Sequence, residues 1–309
     1  AASAPWKGPS KVLLQNSGTE AVEASIKLAR YMSGRQWIVG FVGGFHGRTL
    51  GALTLTNSKA KYHAHFGPLA PGFLHVPFGS EGLDELEQRI IARTIPGDEI
   101  AAFVVEPVQG EGGYVVPDKE FFPRLKAIAD KYCIAIVVDE VQSGAGRTGK
   151  MWAIEHYDVV PDILVYGKNL SGGIAPLAGI SARDDILGDN SHFNSGSTFA
   201  GSPAGCAAAI KTLEIYERDG IVAHAKKLGD MAYEIMSGWE HHAVVGQIRC
   251  SGLLMGVSFK ATKQLHPDAE GWWTARAVRG EMLERGVWAI SDHEDTIRLY
   301  PALNMDEAT

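Results

Sequence analysis

From residue 11 to about residue 215, apolar residues fall in short continuous runs that alternate with segments where apolar positions recur at helical spacing. Continuous runs suit strands buried on both faces, and their alternation with helices predicts an α/β fold with a mainly parallel sheet. Strands are predicted at Lys11 to Gln15, Trp37 to Phe41, Phe73 to Val76, Ala101 to Glu106, Ala135 to Asp139, Ile163 to Tyr166 and Ala178 to Ser181. Helices are predicted at Thr19 to Ser33, Gly82 to Thr94, Lys119 to Tyr132 and Pro203 to Arg218. Beyond Gly220 the pattern changes to a helix from Ile221 to Met236, one strand from Arg249 to Phe259, a helix from Trp272 to Arg285 and a strand from Thr296 to Tyr300. The change sets a boundary near residue 215, between a large domain over residues 1–215 and a smaller α+β domain over residues 216–309.

Two of the apolar runs end on ionisable groups. Ile134 to Val138 delivers Asp139, and Pro161 to Gly167 delivers Lys168, which a glycine-bearing loop from Asn169 to Pro176 follows at once. An amine and a carboxylate at the ends of successive strands can hold a pyridoxal ring. The lysine forms a Schiff base with the aldehyde, and the aspartate pairs with the pyridinium nitrogen. Either residue alone better suits a polar strand end that meets solvent; the two together, with the motifs that follow, favour the cofactor.

Other turns add to this pair. Lys11 to Glu20 reads as strand, turn and helix start, with Ser17 and Glu20 at capping-box spacing. Free N–H groups there can bind phosphate, although a plain capped helix has the same signature. In Gly43-Gly-Phe45-His46-Gly47-Arg48-Thr49 a flat ring can stack on a planar cofactor and Arg48 can grip a carboxylate; the plain alternative is a glycine-rich loop with an incidental arginine. Glu106 follows a strand directly and so faces the crevice where ligands bind in such sheets. Glu111 lies farther out on the same loop, free to pair with an arginine; both could also be surface carboxylates.

Some patterns lead elsewhere. Gly144 to Lys150 matches the GxxxxGK spacing of a phosphate loop. Against it, Met151 has no hydroxyl for Mg²⁺, the acidic strand precedes the loop, and no strand runs into Gly144. His63 with His65, and Asp292 to Asp295, lack further ligands at zinc spacing, so no metal is expected.

At 309 residues, with 45% hydrophobic and 21% charged, the chain is in the globular range and long enough for two domains. A net charge of -7 without a basic stripe argues against nucleic acid or an anionic membrane as partner, and no apolar stretch reaches spanning length. Cys133, Cys206 and Cys250, odd in number and widely spaced, suit buried free thiols in a reducing compartment, so a cytoplasmic protein is expected. The N-terminus lacks Met, a basic start and an apolar core, which does not suit a signal peptide; both ends look like those of a fragment.

Taken in order, Asn16 to Glu23, Phe45 to Thr49, Glu106 to Glu111, Asp139 to Gln142, Lys168, Gly196 to Gly201 and Thr296 to Pro301 resemble the motifs of the class III aminotransferases, fold-type I enzymes that use pyridoxal phosphate. The resemblance implies a phosphate turn at Gly18 and Thr19, a ring-stacking Phe45 with His46 beside it, and Glu106 at the cofactor. It further implies Asp139 on the pyridinium nitrogen, Gln142 on the ring hydroxyl and Lys168 as the Schiff-base lysine. A homodimer with shared sites is implied, with Thr198 reaching the neighbouring subunit's phosphate and Arg298 binding the α-carboxylate of 2-oxoglutarate.

Arg48, Glu111 and Arg298 together are similar to the 4-aminobutyrate and ornithine transaminases, where the glutamate neutralises the second arginine while the ω-amine reacts. Phe66 to Gly72 leans toward 4-aminobutyrate enzymes; Lys168 to Pro176 and Ser291 to Pro301 lean toward ornithine enzymes. Acetylornithine or another amine is the alternative donor. Racemases and epimerases of the same fold and cofactor are the rival class; a 2-oxoglutarate-dependent half-reaction separates the two, because racemases need no 2-oxo acid acceptor. The family's N-terminal segment and the end of its C-terminal domain are expected to be missing.

Overall fold

The computed structural model describes residues 4–188, 193, 195–260, 271–293 and 295–307. Residues 1–3, 189–192, 194, 261–270, 294 and 308–309, and the side chains of residues 271–273, Asp292 and His293, lie outside that description. The first sheet contains β1 (Ser10–Gln15), β2 (Trp37–Phe41), β3 (Phe73–Val76), β4 (Ile100–Val105), β5 (Ala135–Asp139), β6 (Ile163–Tyr166) and β7 (Ala178–Arg183), in the order β1-β7-β6-β5-β4-β2-β3. Strands β2 to β6 pair in parallel, and β7 is antiparallel to both β6 and β1, so β7 alone runs against the others.

Burial on both faces fixes this arrangement. Every residue of β4 is buried. Its Phe103 and Val105 join Phe41, Ile136 and Val138 on one face, under Phe121, Phe122 and Leu125 of α4 (Phe121–Tyr132). Ala102 and Val104 join Ile38, Val137 and Ile163 on the other, under Val22 and Leu28 of α1 (Gly18–Ser33). A large apolar side chain buried this way contributes about 1.5–3 kcal/mol, whereas an exposed pair such as Lys126–Asp130 contributes about 0–1 kcal/mol. The sheet core, not surface charge, therefore sets the frame. Connections carry α2 (Leu50–Leu55), α3 (Ser80–Glu85), α5 (Asp184–Leu187) and α6 (Pro203–Arg218).

A second, antiparallel sheet in the order β10-β11-β9-β8 is built from β8 (Val245–Ser251), β9 (Leu254–Phe259), β10 (Ile290–His293) and β11 (Thr296–Leu299). It packs with α7 (Ile221–Ser237) and α8 (Gly271–Glu284). Residue 215 lies within α6. Among the described residues no helix is long and apolar enough to cross a membrane.

Several local expectations change. The single strand expected from Arg249 to Phe259 is a hairpin, because Gly252 (φ +56°) turns the chain in the left-handed region with Leu253, between paired Ser251 and Leu254. The helix expected from Gly82 starts at Ser80 and becomes π-helical over Leu86–Ile91. Cys133 is exposed and Cys206 and Cys250 are half-buried, not buried as expected; Cys133 holds the left-handed cap position after α4. The GxxxxGK loop is taken up in packing. The N–H of Leu253 donates to the Arg147 carbonyl at 2.9 Å, and a Cβ at Gly149 would stand 2.8 Å from the Lys226 side chain of α7.

Candidate active site

The loops that leave the C-terminal ends of β1, β2, β4, β5 and β6 converge on one edge of the sheet, where ligands bind in folds of this kind. They enclose a cavity of about 340 Å³ lined by Gly18, Thr19, Phe45, His46, Arg48, Glu106, Glu111, Asp139, Gln142 and Lys168, with Gly47 and Val141 beside them. Arg298 reaches this cavity's rim by way of Glu111. Thr198 does not line it. It sits exposed on a turn that is tied to the start of the chain's first loop, where Asn16 Nδ2 donates to Ser197 Oγ at 2.7 Å.

Lys168 adopts a left-handed backbone (φ +44°) where β6 ends, a conformation that costs a non-glycine residue about 1–2 kcal/mol. Its side chain is exposed to the cavity but otherwise walled in by protein. That enclosure lowers the pKa of the amine, against the pull of the Asp139, Glu106 and Glu111 charges.

Asp139 ends β5 and is 4% exposed. Its Oδ1 accepts the Val141 N–H at 3.0 Å, and its Oδ2 lies 2.8 Å from His46 Nδ1. Burial works against a charged His46 ring. The hydrogen bond and charge of Asp139, then the charge of Glu106, outweigh it and raise the pKa of His46. Glu106 accepts N–H groups from Phe45 at 2.8 Å and Gly110 at 3.0 Å, one on each carboxylate oxygen, so it pins the aromatic loop to its own. Burial pushes its carboxyl up to about 7.

At the end of β1 the capping box is present. Glu20 N–H donates to Ser17 Oγ at 3.4 Å, and Glu20 Oε2 accepts from Ser17 N at 2.9 Å. Gly18 and Thr19 are then left as first-turn residues whose N–H groups have no partner within the helix. Space is tight here: a Cβ on Gly18 would stand 2.8 Å from Val141, and one on Gly47 (φ +132°) 2.2 Å from Thr19 Oγ1. The Thr19 hydroxyl also accepts the N–H groups of Arg48 and Thr49, at 3.2 and 3.3 Å. Arg48 is exposed, with its guanidinium 5.7 Å from the Phe45 ring centre and 5.6 Å from that of Tyr62.

Also at the rim, Arg298 comes from β11 of the second sheet and is 2% exposed. Its Nη1 donates to Glu111 Oε1 at 2.8 Å and to the Gly110 carbonyl at 3.1 Å. The other oxygen, Glu111 Oε2, lies 3.3 Å from Lys59 Nζ. Burial raises the pKa of Glu111, but the charge and hydrogen bond of Arg298, and then those of Lys59, hold it below the ordinary carboxylate range. Neither Lys59 nor Tyr62 was expected from the sequence.

An amine, a buried carboxylate, a flat aromatic face and first-turn N–H groups in one cavity are the partners a pyridine bearing an aldehyde and a phosphate requires, so the residues fit pyridoxal phosphate. Residues 2–309 match the family model described as aminotransferase class III. The acetylornithine aminotransferase of Methanopyrus kandleri is 41% identical over 83% of this chain and 63% of its own length. The 5-aminovalerate aminotransferase DavT of Pseudomonas aeruginosa is 34% identical over 93% of this chain and 68% of its own. Among solved structures, an (S)-enantioselective ω-transaminase from Thermomicrobium roseum superposes with a TM-score of 0.86 at 29% identity, covering 96% of this chain and 71% of that one. An amine transaminase from an uncultivated Pseudomonas species, in its PLP-bound form, gives 0.86 at 28%, covering 96% and 73%. The chain thus spans somewhat less than two thirds of the acetylornithine enzyme, while the family model's match over residues 2–309 includes every residue lining the cavity. Its cofactor is pyridoxal phosphate, and it belongs to the class III aminotransferases.

Proposed function

We propose that this protein moves the amino group of an ω-amino acid, 4-aminobutyrate-like or ornithine-like, to 2-oxoglutarate, as a cytoplasmic homodimer. The observation that carries this reading is the pair of Arg298 and Glu111, 2.8 Å apart on the rim of the Lys168 cavity. A donor with no carboxylate beside its reacting carbon gives Arg298 nothing to bind, and a buried charge without its partner costs about 3–5 kcal/mol. Glu111 removes that cost. 2-Oxoglutarate brings a carboxylate to the same place, and Arg298 can take it in two-pronged fashion. The names of the two relatives support an amine remote from the main carboxylate: 5-aminovalerate carries them at opposite ends, and acetylornithine is kept as the alternative donor.

Bound pyridoxal phosphate supplies an aldehyde and an electron-accepting ring. In this reading the Gly18 and Thr19 N–H groups hold its phosphate, Phe45 offers a face to its ring, and Gln142 binds its hydroxyl. Asp139, steadied by His46, keeps a proton on the ring nitrogen. Lys168 anchors the cofactor and then moves a proton at the substrate carbon through Nζ. Its lowered pKa leaves more of the amine neutral near pH 7, the form a general base needs.

The experiment is a pair of single-turnover measurements, one for each half-reaction, starting from the aldehyde or the amine form of the cofactor. Arg298→Ala is expected to slow the 2-oxoglutarate half by about two to four orders of magnitude and the donor half much less. Glu111→Ala is expected to do the reverse. Equal losses in both halves for both variants would mean that the two residues only hold the loop together.

The dimer has its own check. Phe199 and Ile174 are 77% and 83% exposed, large apolar side chains that a second subunit would cover. If Thr198 completes the partner's site, mixing a Thr198→Ala chain with a Lys168→Ala chain should restore activity above the sum of the two parents, because one site of each mixed dimer then has both residues. A mixture that never exceeds that sum assigns each site to one chain.

A further inference from the structure

At the rim Arg298 and Lys59 share the Glu111 carboxylate. Glu111 gives Oε1 to Arg298 at 2.8 Å and Oε2 to Lys59 at 3.3 Å, with the Tyr62 hydroxyl donating to Oε2 at 3.5 Å. All three charged side chains are largely withdrawn from solvent: 2% exposed for Arg298, 13% for Lys59 and 19% for Glu111. Lys59 does not hang loosely. It precedes a 3₁₀ turn, Ala60–Tyr62, that is fastened by His63 Nε2 donating to the Leu53 carbonyl at 2.9 Å and by the Tyr62 ring against Phe45, centres 5.4 Å apart.

We propose that Lys59 is a positioning residue that keeps Glu111 paired when Arg298 turns to the carboxylate of the 2-oxo acid. This rests on the substrate gate set out above and extends it. With a donor bound, Glu111 spans both cations. When the acceptor's carboxylate takes Arg298, the rim resolves into two matched pairs, substrate with Arg298 and Glu111 with Lys59. Without Lys59, release of Arg298 strands a largely buried carboxylate, and Glu111 therefore competes with the acceptor for the arginine. Lys59 thus sets how readily a carboxylate-bearing acceptor enters, without touching it.

The test uses the full-length holoenzyme and the same two half-reactions. Lys59→Met should weaken the apparent affinity for 2-oxoglutarate by about ten- to a hundredfold, the scale of one charge-assisted hydrogen bond, with its limiting rate and the donor half within about twofold of wild type. Lys59→Arg should restore it. The decisive measurement is the double variant. In the Glu111→Ala background, Lys59→Met should change nothing further in the 2-oxoglutarate half, because no carboxylate remains to be relocated. A loss that persists in that background, or one that falls equally on both halves, overturns the inference. If Arg298→Ala and Glu111→Ala divide the half-reactions as expected and Lys59→Met has no effect, Lys59 alone is excluded and the gate stands. If those two variants do not divide them, gate and inference fall together.

Discussion

Lys168→Ala is expected to lower the rate of both half-reactions by about four orders of magnitude, the upper range for loss of a positioned acid-base group, while the melting temperature changes little. Stability should survive because the side chain projects into the cavity and the substitution removes no buried packing. Both halves should suffer alike, since each needs a proton moved at the same carbon. Borohydride reduction of the wild-type holoenzyme, followed by peptide mapping, should place the pyridoxyl group on Lys168. Label on another lysine would overturn the assignment, as would near-native single-turnover rates in the variant.

Asp139→Asn is expected to slow both halves by about two to four orders of magnitude, corresponding to about 3–5 kcal/mol of lost ionic support for the ring proton. Asparagine can keep the contact with the Val141 N–H through its carbonyl oxygen and turn its NH₂ toward His46 Nδ1, so folding should be spared. The histidine reports the change. Its pKa is raised against burial mainly by Asp139, so it should fall in the variant, and imidazole titration by NMR can follow that independently of turnover. A variant that turns over at the wild-type rate, or a His46 that titrates unchanged, would remove Asp139 from its assigned place.

The parts of the site that were legible in the sequence are those where chemistry and chain geometry coincide locally. Asp139 and Lys168 stand at the ends of apolar runs, and strand ends at one edge of a parallel sheet necessarily meet. Ser17 and Glu20 announce their own helix start. The pairing of Glu111 with Arg298 spans 187 positions and two sheets, and no local pattern encodes it; only the order of family motifs pointed there. Lys59 had no signal at all, because its partner is fixed by tertiary packing. The hairpin at Gly252 was missed for another reason: apolar residues continue through the turn, and one glycine is a weak mark among them. Helix α2 escaped because its N-terminus is capped from a distance, the Glu23 side chain accepting the N–H groups of Gly51 and Ala52 at 2.9 and 3.0 Å.

That distant cap has a mechanical consequence. Glu23 also accepts the Thr49 hydroxyl at 2.6 Å, and Thr19 holds the neighbouring backbone, so α1 and the loop carrying Phe45 and Arg48 are riveted into one block. The second sheet is fastened differently. Arg147 binds it near the turn of the β8–β9 hairpin through Leu253 and past the end of β11 through Pro301, and Arg298 binds it at the cavity through Gly110 and Glu111. The first attachment lies away from the cavity and the second at it. Between Val108, Tyr114 and Leu254 a further apolar contact joins the same two parts, so a carboxylate that draws Arg298 from Glu111 does so within a frame held by other contacts, and the exchange of partners falls to the side chains.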